Sequence, residues 1–323
     1  MDVAEPPPVS GAGQDAGQGR GQGHVEITNF ALNYGAGAQA IPAVSDLSLH
    51  IAPGEFVALI GPSGCGKSTV LNALAGFVQP TSGRITVDGA PVRGPSAERG
   101  MVFQQYSLFP WKTVRKNVEF GLKMKGTPPA ERREVARRLL DMAGLLRFED
   151  HYPDQLSGGM KQRVGIVRAL APGPRMLLMD EPFGALDAQT RLVMQQILTD
   201  MWQEMRLSVL FVTHDIDEAI FLSDRVYVMT ARPGAIKAEL AVDLPRPRTP
   251  DAMLSPEFAA LHRHVLSLIR EESLRAMGNE APPSVRAGFQ TDRSPGVSSM
   301  IDRSLAAIPP SAASVSAAAP RPR

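Results

Sequence analysis

Apolar and polar residues alternate near the start of the chain, over residues 24–32 and 44–51. Such alternation predicts half-buried strands. Phe56-Val57-Ala58-Leu59-Ile60 is instead a continuous apolar run ending in glycine, the pattern of a strand buried on both faces. Pro53-Gly54 marks the turn before it. The middle of the chain changes period. Thr127 followed by Pro128 predicts a helix start, and Val135, Leu139, Leu140 and Met142 then recur at roughly helical spacing. Strands return over 176–179, 209–213 and 226–229, with helical stretches over 188–206 and 216–222 between them. Strands alternating with helices predict a largely parallel sheet covered on both faces, the helical middle forming an inserted lobe. Over 256–277, Phe258, Leu261, Val265, Leu268 and Ile269 sit at helical spacing among Arg, His and Glu, predicting an amphipathic helix that packs on the core or on a partner.

Composition changes the picture mainly at the ends. Residues 1–23 hold six Gly, three Pro and three Gln, and residues 281–323 hold nine Ala, eight Ser and seven Pro. Neither stretch carries apolar periodicity, so both read as disordered tails, leaving a folded body within the 323 residues. Lys and Arg total 34 against 33 Asp and Glu. A net charge of +1 gives no basic field for phosphate backbones and argues against nucleic acid as a partner. A single cysteine fits a reducing compartment, and no secretory h-region or membrane-length apolar run is readable.

The chemistry is concentrated in two segments. Gly61-Pro62-Ser63-Gly64-Cys65-Gly66-Lys67-Ser68-Thr69 fits the phosphate-loop pattern, between a buried strand and a predicted helix from Ser68 to about Phe77. Glycines let successive N–H groups turn towards phosphates, and the helix start presents further N–H groups. Lys67 can reach the β- and γ-phosphates, and the Ser68 hydroxyl can ligate Mg2+. Met176-Leu177-Leu178-Met179-Asp180-Glu181 is an apolar run ending in two carboxylates at the strand end where open α/β sheets bind ligands. Asp180 is placed to hold Mg2+, and Glu181 to orient or deprotonate a water attacking the γ-phosphate. Cys65 lies near a helix start, where a thiol pKa can fall. Two readings of it stand, a reactive thiol whose alkylation blocks nucleotide and an inert small filler.

Leu156-Ser157-Gly158-Gly159-Met160-Lys161-Gln162-Arg163 resembles the signature motif of the ATP-binding subunits of ABC transporters, departing at Met160, where Gln is usual. Other residues follow in that family's order. Tyr34 resembles the aromatic that stacks on adenine, and Gln104 the glutamine that contacts Mg2+ or the attacking water. Ala185-Leu186-Asp187 resembles the loop crossing the dimer interface, and His214 the histidine that contacts the γ-phosphate. The resemblance covers about residues 24–275. It implies an α/β fold with a phosphate-loop RecA-like core, a largely parallel sheet, an N-terminal antiparallel β part and an inserted helical subdomain at about 107–172.

The resemblance also implies ATP and Mg2+ as cofactors and a head-to-tail dimer with a second ATP-binding subunit, read as an identical copy. Each ATP then meets the phosphate loop of one chain and Ser157, Gly158 and Gly159 of the other. Membrane permease subunits, and through them a substrate-binding protein, are the implied partners, with the chain peripheral at the cytoplasmic face of the inner membrane. Glu98 to Gln104, Phe109-Pro110-Trp111 and Ala231-Arg232-Pro233-Gly234-Ala235-Ile236 look like the nitrate/sulfonate/taurine importer group. Tyr106, Leu108, Phe109 and Trp111 with Pro110 are either a docking surface for a permease or packing inside the helical lobe. A soluble ABC-type ATPase acting on DNA or ribosomes is the alternative.

Overall fold

A computed structural model describes residues 22–35 and 37–277; the predicted tails therefore lie outside the described residues except at their inner edges. In chain order the elements are β1 (Val25–Tyr34), β2 (Ile41–Ile51), β3 (Phe56–Ile60), α1 (Lys67–Ala75), β4 (Ser82–Val87), β5 (Ala90–Pro91) and β6 (Arg99–Val102). Three helices follow, α2 (Val114–Met124), α3 (Pro129–Met142) and α4 (Gly158–Leu170). The chain then runs through β7 (Met176–Asp180), α5 (Ala188–Met205), β8 (Ser208–Val212), α6 (Ile216–Leu222), β9 (Arg225–Met229), β10 (Ile236–Ala241) and α7 (Pro256–Met277).

One sheet is antiparallel, in the order β2-β1-β4-β5. The other, β10-β9-β3-β8-β7-β6, is parallel except for its edge strand β10. Strand β3 lies at its centre with all five residues buried. Its alternate side chains serve two cores: Phe56, Ala58 and Ile60 pack with helices α2 to α6, while Val57 and Leu59 pack with α1 and the antiparallel sheet. Each fully buried Val, Leu or Phe contributes about 1.5–3 kcal/mol, which is why this run has no polar position to show periodicity.

The alternation in β1 breaks where it meets a bulge. Asn29 has φ +48° and the pairing register shifts between Ile27 and Phe30, so the buried side chains are Val25, Ile27, Phe30 and Leu32. Helix α3 begins later than its cap signal predicted. Thr127 is not its cap; Pro128 occupies that position without a side-chain bond, and the helix runs from Pro129. Proline has no N–H to lose and its fixed φ suits the first turn. Helix α7 packs on the core through Phe258 and Val265.

Candidate functional site

The phosphate loop joins the C-terminal end of β3 to α1, so β3 aims it out of the sheet. Gly66 has φ +103° at the start of α1, and a Cβ there would come within 2.7 Å of Val44 Cγ2. Only glycine holds that conformation against β2 without strain. Lys67 is 7% exposed. Its ammonium donates to Gly61 O at 2.9 Å and Pro62 O at 3.1 Å, closing the loop around a buried cation.

Strand β7 brings the second segment alongside. Ser68 Oγ donates to Asp180 Oδ1 at 3.1 Å. Burial pushes the Asp180 carboxyl above its ordinary range, the Glu181 charge adds to that, and Ser68 and Lys67 oppose it. Glu181 has φ +43°, a left-handed conformation uncommon for a non-glycine residue, while its N–H donates to Val212 O. This turn carries the carboxylate to two other loops. Glu181 Oε2 lies 3.1 Å from His214 Nδ1 and accepts from Gln104 Nε2 at 3.4 Å. Three segments far apart in sequence thus converge on one oxygen.

His214 follows β8 and is braced from behind. Thr213 donates to the buried Glu218 at 2.7 Å, and Arg191 Nη1 bonds Asp215 at 3.0 Å while its Nη2 donates to Leu186 O at 3.2 Å. Arg191 therefore ties the Ala185-Leu186-Asp187 segment to the turn that carries His214. Asp187 caps α5 by accepting from Thr190 N, which holds its carboxyl below the usual range.

The loop borders a cavity of about 340 Å3 whose wall includes Tyr34, Ser63, Gly64, Gly66, Lys67, Ser68, Thr69 and Glu181. Tyr34 is 46% exposed rather than packed away, and its hydroxyl lies 3.3 Å from Thr69 Oγ1. Ser157, Gly158 and Gly159 are not in that wall. They start α4, where Ser157 accepts from Met160 N at 3.4 Å. A Cβ on Gly159 would sit 2.5 Å from the Thr190 methyl, so tertiary contact with α5 demands glycine there.

Of the two readings of Cys65, its surroundings favour the inert filler. Cys65 is 1% exposed, and desolvation pushes its thiol up, outweighing the nearby Lys67 charge. Proximity to a helix start does not make it an activated thiolate. Arg232 and Ala43, both in the cavity wall, were missed as site residues. Ala43 carries no sequence signal, because β2 pairing alone brings it there. Arg232 lies within the subgroup-like segment but offered no chemical pattern of its own.

The arrangement is of the phosphate-loop class, with a carboxylate, a histidine and a glutamine meeting beside the loop. Known proteins agree with that class. The ABC transporter family pattern matches residues 44–184. The chain is 50% identical over 253 residues to the nitrate import ATP-binding protein NrtD of Synechocystis sp., covering 76% of this chain and 95% of that protein. It is 48% identical over 239 residues to the taurine import ATP-binding protein TauB of Yersinia pseudotuberculosis, covering 72% and 94%. Among solved structures, the dimeric post-hydrolysis ATP-binding cassette MJ0796 bound to ADP and Pi is 36% identical with a TM-score of 0.61, over 68% of this chain and all of that one. CbiO1 of Clostridium perfringens, part of the ABC transporter complex cbiONQ, is 25% identical with a TM-score of 0.64, over 78% of this chain and all of that one. The chain belongs to the ABC transporter family, as an ATP-binding, ATP-hydrolysing subunit of the importer kind. These relatives do not favour the DNA- or ribosome-directed alternative.

Proposed function

We propose that this subunit hydrolyses ATP, with Mg2+, to drive uptake of a small anion or organosulfonate of the nitrate, sulfonate or taurine kind through separate membrane subunits. The observation that carries the hydrolytic step is the convergence of His214 and Gln104 on Glu181 Oε2, within 3.4 Å. Water attacks the γ-phosphorus, the bond to the bridging oxygen breaks, and the water's proton passes to Glu181. His214 and Gln104 hold that carboxylate and the water in position. Lys67 exchanges its two carbonyl partners for phosphate oxygens, so that both partners of each bond then carry charge. Loop N–H groups from Gly61 to Thr69 take the remaining phosphate oxygens, and Tyr34 faces the adenine.

The donor set fits Mg2+. Ser68 Oγ and Asp180 Oδ1 are hard oxygen donors 3.1 Å apart, and a divalent cation relieves the cost of ionising the half-buried Asp180. Gln104 supplies an amide oxygen. When bound, the ion supplies charge neutralisation across the terminal phosphates.

Ser157, Gly158 and Gly159 complete the site on a second, identical copy apposed head to tail, with Asp187 at the seam. A hollow of about 570 Å3 lined by Gln104, Tyr106, Leu108, Pro110, Lys161 and Ala185 supports permease docking. Trp111, next in the chain, is 72% exposed, whereas Phe109 packs on Phe120 at 4.6 Å, so docking and packing divide between these two rings. Among the described residues no helix is long and apolar enough to cross a membrane. The subunit works at the cytoplasmic face, and a substrate-binding protein selects the solute. Co-expression with candidate permeases and binding proteins, followed by uptake of nitrate, taurine and alkanesulfonates, tests the reading. ATP-dependent uptake of one of them is expected; uptake of none overturns the substrate class.

A further inference from the structure

The segment from Thr230 to Ala235, between β9 and β10, has no part in the mechanism above, yet it is locked to the nucleotide cavity from two sides. Gly234 N donates to Ala43 O at 3.0 Å and Gly234 O accepts from Ser45 N at 2.9 Å. A Cβ at Gly234 would lie 2.0 Å from Cys65 O, so this backbone rests directly on the phosphate loop. From the other side, the buried Glu272 of α7 accepts from Ala231 N at 2.9 Å and from Lys237 Nζ at 2.7 Å. Arg232, between these two anchors, forms part of the cavity wall. Its Nε donates to Pro42 O at 3.2 Å. Pro42 pairs with Asn33, the neighbour of Tyr34, which puts the base of the guanidinium on the Tyr34 side of the cavity. Among the described residues neither Nη group has a hydrogen-bond partner.

We infer that Arg232 is a further nucleotide-contacting residue, whose two Nη groups bind the phosphate nearest the sugar. This rests on the reading that the cavity takes ATP. Lys67 serves the β- and γ-phosphates and loop N–H groups the α- and β-phosphates, and an α-phosphate oxygen on the Tyr34 side can still accept from a further donor. A guanidinium held at Nε presents both Nη groups as a fork that matches phosphate oxygens. The Gly234 and Glu272 anchors fix the backbone on either side of Arg232, and the Nε bond to Pro42 O holds the base of the fork, so less ordering entropy is lost on binding. Helix α7 thereby contributes to the nucleotide site without touching it.

Calorimetric titration of the full chain with ADP tests this. Wild type is expected to bind ADP, and Arg232→Ala to bind it about tenfold more weakly, the loss of one charge-assisted contact. Arg232→Lys, a point charge without the fork, is expected to fall between them. A dissociation constant for Arg232→Ala within twofold of wild type, with an unchanged thermal melt, overturns the inference and leaves the ATP reading intact. Should Arg232→Ala fail to fold, Arg232→Gln takes its place, with the same expected loss and the same overturning result. Wild-type chain that binds neither ADP nor ATP sinks the cavity assignment itself.

Discussion

Lys67 is 7% exposed and bonded to two carbonyls of its own loop, whereas Ser157 is exposed at the tip of α4 and bonded to the backbone of its own helix. The phosphate-loop half is therefore assembled within one chain: β3, β7 and β8 deliver Lys67, Asp180, Glu181 and His214 to one place from the ends of adjacent parallel strands. The signature half is a presented surface. Its helix start offers N–H groups and the positive end of a dipole outward, and no described residue of the same cavity uses them. On the proposed reading, binding and turnover have different structural requirements: one chain holds nucleotide, and hydrolysis draws on a second surface.

Four substitutions bear on that division. Glu181→Gln keeps the shape of the assembled half but removes the proton acceptor. ATPase rate is expected to fall about 10²–10⁴-fold with nucleotide affinity retained; wild-type turnover would refute the role. Lys67→Ala strikes binding itself and should raise the dissociation constant for ATP about 10–100-fold; an unchanged titration argues against the cradle. Ser157→Ala tests the other half. Loss of the α4 cap costs about 1 kcal/mol of stability, ATP affinity of the isolated subunit should not change, and ATPase activity should drop. An affinity loss matching that of Lys67→Ala would break the comparison.

The smallest effect concerns Asp180. Its carboxyl titrates above the unfolded value, so the fold is relatively favoured while that group is protonated, and the advantage is lost as pH rises through the folded pKa. Asp180→Asn should therefore melt higher than wild type at pH 7, with the gap closing as pH falls into the carboxylate range. A lower melting temperature at pH 7 would mean that Ser68 and Lys67 outweigh burial. The same variant should lose the Mg2+ dependence of ATP binding.

Elements that are apolar throughout or that carry one dominant period were legible in the sequence. The apolar run at 56–60 is β3, the stretch 188–206 is nearly α5, and 256–277 is α7. Helix α2 was not legible, because its buried face includes Asn117 and Glu119. Asn117 pins the preceding turn through bonds with Phe109, Lys112 and Thr113, while Glu119 pairs with Arg115 and Arg132. Polar residues satisfied inside a core erase the periodicity that marks a helix. Strand β10 was hidden for a related reason: as an edge strand it leaves every residue partly or fully exposed.

The site divided in the same way. The local chemistry of Gly61 to Thr69, of Asp180 and Glu181, and of Ser157 to Gly159 is contained in short contiguous stretches, so residue type and spacing alone determined which groups were present. Tertiary structure alone decided their environment. Burial raised Cys65 where a helix start had suggested a lowered thiol, and approach of the Thr190 methyl explained a glycine that the motif merely displayed. It also set Arg232 in the cavity wall, tethered to Pro42 and buttressed from α7. Short-range chemistry is encoded by neighbours in the chain, whereas desolvation and convergence depend on which distant strands pack side by side.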